Sequence, residues 1–281
     1  SFLEITKKTK VSDLFRAFSN YNDISELRYV GGCVRKILNN EEIDDIDLAT
    51  NLKPNQVKEC LKYNNIDYFE TGIEHGTITA HIEGKNFEIT SLRKDVSTDG
   101  RRAVVEFTNE WNQDSLRRDF TINSIYADEE GNLFDPNNGV KDLENGIVEF
   151  IGDPEKRIKE DYLRILRYIR FFLNYSNHQH KRKVKNVIKQ NINGVVKLTK
   201  ERLINELQKI IHSKGFIKKI SDDEFCKDIV MLIFPQLKNI DIFKKLNKNY
   251  KEEIIKKDFI FLLSLLIIDE TDNSDFFLYK Y

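Results

Sequence analysis

The chain contains few of the residues that mark several common classes of protein. Among its 281 residues are only 12 glycines and 4 prolines, which argues against a linker, a collagen-like chain or a low-complexity architecture. Its three cysteines, Cys33, Cys60 and Cys226, are far apart and form no CxxC pair. They predict neither a disulfide framework nor a zinc site, and they favour a reducing, cytoplasmic compartment.

Long hydrophobic runs are equally scarce. The longest, residues 259–268, is interrupted only by Ser264, whereas a membrane span needs about 20 apolar residues. We therefore interpret this run as a buried helix and expect no membrane partner. The five histidines show no metal-ligand spacing, because His178 and His180 lie two residues apart without a second pair nearby. We expect them to be solvated loop residues.

An excess of one charge is also missing, but the charges are unevenly distributed. The chain has 45 basic and 46 acidic residues, a formal net charge of −1. Residues 41–50 carry five acids and no base, which makes them a candidate metal site. Residues 181–220 carry twelve bases and two acids, which suits a nucleic-acid backbone or, alternatively, a solvated helix face. We assign RNA contacts to the start of this tract: Lys181, Arg182, Lys183 and Lys185.

The apolar pattern divides the chain into a mixed first half and a helical second half. Alternation predicts strands over residues 27–30, 77–82, 87–92 and 103–107, with a turn over residues 83–86. After Asp153-Pro154 the apolar period becomes helical. The pattern predicts an α+β protein: a head domain with a small mixed sheet (residues 1–150), followed by an all-helical remainder.

A single helix is predicted over residues 155–173. At about 100° per residue, its apolar side chains fall between about +20° and +140° of Asp161. The opposite face carries two acids and three arginines: Arg157, Glu160, Asp161, Arg164 and Arg167. This face is available to solvent or to a ligand, whereas the apolar face belongs to the core.

The strongest chemical signal is Gly31-Gly32 with Arg35, followed by Asp45-Ile46-Asp47. A glycine pair between a strand and a helix lets backbone N–H groups approach a phosphate, and Arg35 is placed to add a charge-assisted contact. On a strand, Asp45 and Asp47 point to one face, and two carboxylates suit Mg²⁺, which completes its shell with water and substrate phosphates. In this order the elements indicate metal-assisted phosphoryl transfer.

Three further segments are candidates for the same site. Glu88 lies on a predicted strand, where it either supports the metal or faces solvent. Arg117-Arg118-Asp119, with Asn123 one turn further on, is placed to clamp a triphosphate; the alternative is a capped helix with a surface ion pair. Residues 95–102 are polar, contain a glycine and lie between strands, so we predict a mobile loop; the alternative is an ordinary connecting loop.

Together these segments resemble class II tRNA nucleotidyltransferases, the CCA-adding enzymes, and the related bacterial poly(A) polymerases. The resemblance is carried by GGCVR, DDIDLAT, RRDFTINS and EDYLRILRYIRF, and by Glu201-Arg202-Leu203, which is similar to a later helix-capping motif. It implies that Asp45 and Asp47 bind the metal and that Asp161 and Arg164 read the incoming base. We assign catalysis to Asp45, Asp47 and Glu88. We assign nucleotide binding to Gly31, Gly32, Arg35, Arg118, Asp119, Asn123, Asp161, Arg164, Arg167 and Arg170.

The resemblance implies an enzyme that adds C, C and A to the 3′ end of tRNA from CTP and ATP, with Mg²⁺ in a two-metal mechanism. Cytosine and adenine both present an exocyclic amine beside an acceptor, so one Asp/Arg pair accepts either base. The resemblance also implies that the helical remainder divides into a helical neck (151–215) and a partial helical body (216–281). We expect the nucleotide between the Gly31-Gly32 turn and the Asp161 helix. Poly(A) addition and partial CC or A addition stay open as alternatives, as does an inert RNA-binding module. We expect no DNA partner.

Overall fold

The computed structural model of the chain describes residues 2–43, 45–98 and 103–281. The described residues form two compact units. The head unit consists of residues 2–98, without residue 44, together with residues 103–145 and 149–152. The helical unit consists of residues 146–148 and 153–281. Within the described ranges, no helix is long and apolar enough to cross a membrane.

The head unit is built on a mixed β-sheet. Its strands are β1 (Leu27–Val30), β2 (Asp47–Thr50), β3 (Asp67–Gly72), β4 (Thr77–Ile82), β5 (Lys85–Ser91), β6 (Arg93–Thr98), β7 (Ala103–Phe107), β8 (Tyr126–Ala127) and β9 (Leu133–Phe134). Among the described residues, the large sheet has the order β3-β4-β5-β2-β1-β8-β9, and β6 pairs with β7 separately. In the large sheet β2 and β5 run parallel and the other neighbours antiparallel. The predicted α+β head with a mixed sheet is confirmed.

Helices cover this sheet and supply its core. In the described part of the head unit they are α1 (Phe2–Thr9), α2 (Val11–Ser19), α3 (Gly32–Leu38), α4 (Pro54–Tyr63), α5 (Trp111–Leu116) and α6 (Gly139–Glu144). The apolar residues of α2 recur every three or four positions, so Leu14, Phe15 and Phe18 share one buried face. The ring of Phe15 lies 5.0 Å from that of Tyr29 on β1, which joins this face to the sheet.

The central strand β2 is buried on both faces. Leu48 belongs to one apolar cluster and Ala49 to another, because successive side chains on a strand point to opposite faces. Asp47 therefore lies on the Ala49 face. The parallel register places Asp47 beside Glu88 of β5, so the strand pairing itself brings two predicted catalytic residues together.

Two predicted loops are shorter than expected. The β4–β5 turn contains only Glu83 and Gly84, both with positive φ (47° and 79°), and Ile82 pairs with Lys85. Two positive φ values are typical of a tight hairpin turn that matches the strand twist. The prediction of a loop over residues 95–102 is wrong in its first half, because β6 continues to Thr98 and pairs with β7. Residues 99–102 lie outside the described residues.

The helical unit contains, within the described chain, α7 (Pro154–Glu160), α8 (Leu163–Tyr175), α9 (Arg182–Asn191), α10 (Lys200–Ile211), α11 (Lys214–Lys219), α12 (Glu224–Ile233), α13 (Lys248–Ile254), α14 (Phe259–Ile267) and α15 (Asn273–Lys280). Its division into a neck and a body stays a prediction. The run 259–268 forms α14 as predicted, but full burial is wrong, because Ile260 and Phe261 are exposed.

The predicted continuous helix over residues 155–173 is also wrong. Asp161 adopts an extended conformation (φ −155°, ψ 108°) and separates α7 from α8. Its Oδ1 accepts a hydrogen bond from the N–H of Leu163 at 3.1 Å, and its carbonyl accepts one from the N–H of Arg164 at 3.0 Å. Aspartate competes with the helix ladder in this way by binding the backbone two residues on. The break therefore comes from the same residue that the sequence assigns to base reading.

Candidate active site

The Gly31-Gly32 turn lies beside a guanidinium and a carboxylate. Gly31 has φ 67° and ψ −116°, which side chains with a Cβ rarely tolerate, and it caps α3. A methyl group on Gly31 would lie 3.5 Å from Arg118 Nη1, and one on Gly32 would lie 3.9 Å from Asp47 Oδ2. A backbone without side chains next to opposite charges is the arrangement that a metal-bound phosphate requires.

The predicted acidic residues meet near the start of β2. Asp47 opens the strand beside Glu88, whereas Asp45 precedes the strand and is exposed, so the expectation that both aspartates lie on it is wrong. Partial burial, then Glu88 and Asp45, raise the pKa of Asp47, while Arg118 and Arg35 oppose the shift. The three carboxylates therefore repel one another, whereas the two arginines attract the Asp47 carboxylate.

This concentration of negative charge fits a divalent cation. A bound cation offsets the repulsion that otherwise favours the protonated form of Asp47. Within the described residues, the ligand atoms of Asp45, Asp47 and Glu88 do not all lie within 4.8 Å of one another. Mg²⁺ needs only one or two carboxylates, because water and substrate phosphates complete its shell. Asp45 and Asp47 thus fit Mg²⁺, and Glu88 fits as their charged neighbour.

A buried polar chain holds Arg35. Its Nη1 donates to Asn123 Oδ1, and Asn123 Nδ2 donates to Asp119 Oδ1 at 2.9 Å. Asp119 Oδ1 also accepts from the N–H of Phe120 at 2.9 Å. Arg35, Asn123 and Asp119 are each less than 8% exposed. Asp119 and Asn123, which the sequence assigns to nucleotide binding, thus lie in the interior and orient Arg35.

Arg118 is held by a residue that the sequence reasoning missed, Asp114. The carboxylate of Asp114 is 1% exposed and accepts from Arg118 Nη2 at 3.0 Å, from Arg117 Nε at 2.8 Å and from the Tyr126 hydroxyl at 2.7 Å. Burial by itself raises the pKa of Asp114, but Arg118, Arg117 and the Tyr126 hydroxyl outweigh it and hold the pKa well below the usual range. The spacing of Asp114 three and four residues before two arginines is the sequence signal for this cluster.

Asp161 and Arg202 form an ion pair in the helical unit. Arg202 Nη2 lies 2.7 Å from Asp161 Oδ2, and both side chains are partly exposed (31% and 25%). The Thr199 side chain caps α10 by accepting a hydrogen bond from the N–H of Arg202, which fixes the position of this arginine in the first turn of the helix. Arg202 belongs to the predicted helix-capping motif, and its contact with a predicted base-reading residue was not predicted. A carboxylate has about four acceptor sites, so Asp161 keeps acceptor capacity beside this pair.

Arg164 lies close to the backbone of α7. Its Nη1 donates to the carbonyl of Arg157 at 2.8 Å and to Glu160 Oε2 at 2.7 Å. Arg157 also pairs with Glu160. Glu160 therefore pairs with two of the three arginines on the predicted polar face. This face is an internal ion-pair network in which Arg157 is buried and the other four residues are only partly exposed.

Arg167 and Arg170 differ in their surroundings. The guanidinium of Arg167 lies 5.4 Å from the centre of the Phe171 ring. Arg170 Nε donates to Glu206 Oε1 at 2.7 Å, and Glu206 on α10 is only 3% exposed. This buried pair joins α8 to α10, which supports a structural role for Arg170 beside its predicted nucleotide contact. Glu206 follows the Glu201-Arg202-Leu203 motif by one helical turn and was not singled out in the sequence.

The basic tract begins on α9. Arg182 and Lys181 are exposed, whereas Lys183 pairs with Asp153 at 2.7 Å and Lys185 Nζ lies 5.4 Å from the centre of the Phe225 ring. Exposed ion pairs of this kind are worth about 0–1 kcal/mol, so a phosphate displaces them easily. The position of these four residues on one short segment is compatible with the predicted RNA contacts.

The prediction that the histidines are solvated is wrong for His180. Its side chain is 8% exposed and its Nε2 lies 3.0 Å from Asp223 Oδ2. The pairing was missed because Asp223 is 43 residues away in sequence, and only the packing of α12 against α8 brings them together.

Comparison with known proteins identifies relatives of the chain. Residues 27–149 match the model of the poly A polymerase head domain. The mitochondrial CCA tRNA nucleotidyltransferase 1 of Mus musculus is 41% identical over 251 residues, which are 87% of this chain and 57% of that protein. A CCA-adding enzyme of Lactobacillus helveticus is 36% identical over 225 residues, or 75% of this chain and 55% of that protein. The chain spans about half the length of these curated relatives.

Solved structures share the fold. The CCA-adding enzyme of Bacillus stearothermophilus, solved in complex with CTP, superimposes with a TM-score of 0.68 at 22% identity over 92% of this chain and 69% of that one. The Thermotoga maritima CCA-adding enzyme, solved with tRNA_CCA, gives 0.69 at 22% identity over 99% and 68%. Residues 27–149 therefore match the poly A polymerase head domain, and the curated homologues of the chain are named CCA tRNA nucleotidyltransferase or CCA-adding enzyme.

Proposed function

We propose that the chain catalyses nucleotidyl transfer from CTP and ATP to the 3′ end of tRNA, adding C, C and A without a nucleic-acid template. The observation that carries the proposal is the convergence of Asp47, Glu88, the Gly31-Gly32 turn and Arg118 in the head unit. The names of the curated homologues support the choice of tRNA as substrate.

Asp45 and Asp47 would hold Mg²⁺ in a two-metal arrangement. When bound, the metal would supply charge neutralisation on the triphosphate and activation of the primer 3′ hydroxyl. Glu88 keeps the potential at this site negative, which favours cation binding. Burial is the largest cause of the raised pKa of Asp47, and Glu88 and Asp45 add to it, so a bound cation would favour the charged form of this carboxylate.

The chain's own residues position the triphosphate. The Gly31-Gly32 turn admits a phosphate close to the backbone, and Arg118 is aimed at that turn by Asp114. Arg35 is aimed by Asn123. Both arginines are fixed before substrate arrives, and such preorganised charge is the main way in which phosphoryl transfer is accelerated.

Asp161 and Arg164 would select the base. The carboxylate accepts from the exocyclic amine that cytosine and adenine share, and the guanidinium donates to the adjacent acceptor. Uracil and guanine present the opposite pattern at the amine position, so the same pair disfavours them. Arg167 extends this nucleotide contact.

The basic residues at the start of α9 would contact tRNA phosphates. Such contacts do not read sequence and weaken as salt rises. The three cysteines are free and buried, which supports a reducing compartment such as the cytoplasm.

The proposal is tested by primer extension with Mg²⁺ on three tRNA transcripts that end before CCA, after C and after CC. CTP and ATP are supplied separately and together, and a transcript ending in CCA is the matched control. Two C additions, one A addition and a stop are expected, with no extension of the control. A ladder of A residues on any RNA would instead show a poly(A) polymerase, and extension of only one transcript a partial enzyme. No extension with intact tRNA binding would overturn the proposal in favour of a binding module.

A further inference from the structure

A second cluster of metal-ligand side chains lies in the helical unit. His180 Nε2, an Asp223 carboxylate oxygen and Cys226 Sγ all lie within 4.8 Å of one another. His180 precedes α9, whereas Asp223 caps α12 and Cys226 is in its first turn. Two segments separated by 43 residues in sequence thus bring one nitrogen, one oxygen and one sulfur ligand to a single point.

The separations match the edges of a tetrahedral zinc site. Zinc bonds of about 2.3 Å to sulfur and about 2.0–2.1 Å to nitrogen place those two ligands about 3.6 Å apart. His180 Nε2 and Cys226 Sγ are 3.6 Å apart. His180 Nε2 lies 3.0 Å from Asp223 Oδ2, slightly less than the edge of about 3.3 Å that the same bond lengths give for nitrogen and oxygen.

The surroundings orient the ligands. His180 Nδ1 lies 2.9 Å from the hydroxyl of Tyr168, an outer contact that fixes the imidazole and leaves Nε2 to face the cluster. The Phe172 ring stacks on the imidazole with 3.6 Å between ring centres. Asp223 Oδ1 accepts from the N–H of Cys226 at 2.9 Å, so Oδ2 is the oxygen left for a cation.

A cavity of about 280 Å³ reaches the cluster at Asp223. Its lining includes Asp223, Phe172, His178 and Lys219. The Lys219 ammonium donates to the carbonyl of Ser176 at 2.9 Å, and this backbone oxygen partly offsets its positive charge. Three protein ligands and one water complete a four-coordinate site.

We propose that His180, Asp223 and Cys226 bind Zn²⁺, or a divalent ion of similar preference for sulfur and nitrogen, with a water molecule in the fourth position. Binding forms a metal–sulfur bond and releases the Cys226 thiol proton to solvent, with no change in oxidation state. The metal fastens the start of α12 to the segment between α8 and α9. This site is separate from the proposed Mg²⁺ site at Asp45 and Asp47, so the inference does not depend on the proposed function.

The test titrates the purified full chain, stripped of metal by a chelator, with Co²⁺ as a spectroscopic substitute for Zn²⁺. A sulfur-to-cobalt charge-transfer band and strong visible bands of a tetrahedral ion are expected at one Co²⁺ per chain. Oxygen ligands such as Asp45 and Asp47 give neither signal, so the two sites are distinguished. Zn²⁺ is expected to displace the Co²⁺ bands and to raise the midpoint of thermal unfolding.

Variants make the test specific. Cys226→Ser should abolish the charge-transfer band, and Asp223→Asn, which still caps α12, should weaken Co²⁺ binding by about tenfold or more. Cys60→Ser is the matched control, because Cys60 is equally buried and its thiol donates to the carbonyl of Ala17 in the head unit. An absent band in the folded parent chain, or a band that survives in Cys226→Ser, would overturn the proposal.

Discussion

At the scale of single residues, Asp114 connects the sheet to the arginines of the RRD segment. Its one carboxylate accepts from Arg117, Arg118 and Tyr126, and from the backbone N–H of Arg93 at 3.2 Å. A buried charge that lost these partners would be very unfavourable, and so would the arginines without the charge. Asp114 therefore couples the stability of the head unit to the position of Arg118.

Replacing Asp114 by Asn should lower both stability and nucleotide affinity. Removing one partner of a buried ion pair costs about 3 kcal/mol, and the free energy of unfolding should fall by about that amount at pH 7. The binding of CTP should weaken as well, because Arg118 is no longer held at the Gly31 turn. Asp23→Asn, at an exposed position, is the matched control and should change neither quantity.

The difference between Asp114→Asn and the parent chain should also depend on pH. The folded-state pKa of Asp114 lies below its unfolded value of about 3.9, so its contribution is complete above that pH and is lost as pH falls through the folded pKa. Denaturant unfolding should therefore give a constant gap between pH 5 and 8 and a shrinking gap below about pH 4. A gap that is constant down to pH 3 would contradict this role.

The role of a residue could be predicted where the residue belongs to a motif, and could not be predicted where the role depends on tertiary packing. Asp47 and Glu88 were singled out as candidates from their types and neighbours, and the strand register brings them together. Asp114 and Glu206 were not, because a lone acid on a helix looks solvated until its burial is known. His180 shows the same limit, since its partner Asp223 is distant in sequence.

At the scale of elements, the break at Asp161 changes what the polar face of α7 and α8 does. In a continuous helix, the side chains of Asp161 and Arg164 would lie next to each other on one helix face. The break instead lets the Asp161 carboxylate cap Leu163 with one oxygen and pair with Arg202 through the other. Close packing supports this junction: a methyl group on Gly194 would lie 2.0 Å from the Tyr162 ring.

Arg202→Ala should therefore loosen base choice. Without the ion pair, the Asp161 carboxylate loses one of its two fixed contacts, and incorporation of U or G relative to C or A should rise about tenfold. The readout is the ratio of kcat/KM for CTP against UTP on a tRNA that lacks CCA. Arg182→Ala, an exposed basic residue of the same unit, should lower tRNA affinity with the ratio unchanged. Equal ratios in Arg202→Ala and the parent chain would exclude this positioning role.

Helices and strands could be predicted from the periodicity of apolar residues. These predictions failed where a side chain interrupts the regular backbone hydrogen bonding. Alternation gave β1, β4 and β7 with the bounds that the structure shows. The angular arithmetic for residues 155–173 assumed unbroken helical hydrogen bonding, and an aspartate that binds its own backbone violates that assumption. The strand β6 was not predicted, because its polar residues suggested a loop; in the structure it is ordered by pairing with β7.

At the scale of the whole molecule, the two units carry different groups of the residues that the proposed activity requires. The head unit holds the acidic cluster, the glycine turn and the oriented arginines. The helical unit holds the proposed base-reading pair, the basic tract and the His180 cluster. The matched region is a little over half the length of the curated relatives.

The most direct test of the account is single A addition to a tRNA ending in CC, measured for the parent chain and for Asp47→Asn. Glu42→Gln is the matched control, because Glu42 is an exposed acid of the same segment outside the assigned site. The account predicts one A per tRNA with the parent chain and with Glu42→Gln, and a loss of at least about a thousandfold in rate with Asp47→Asn while folding is intact. Normal A addition by Asp47→Asn would contradict the metal site, and with it the proposed mechanism.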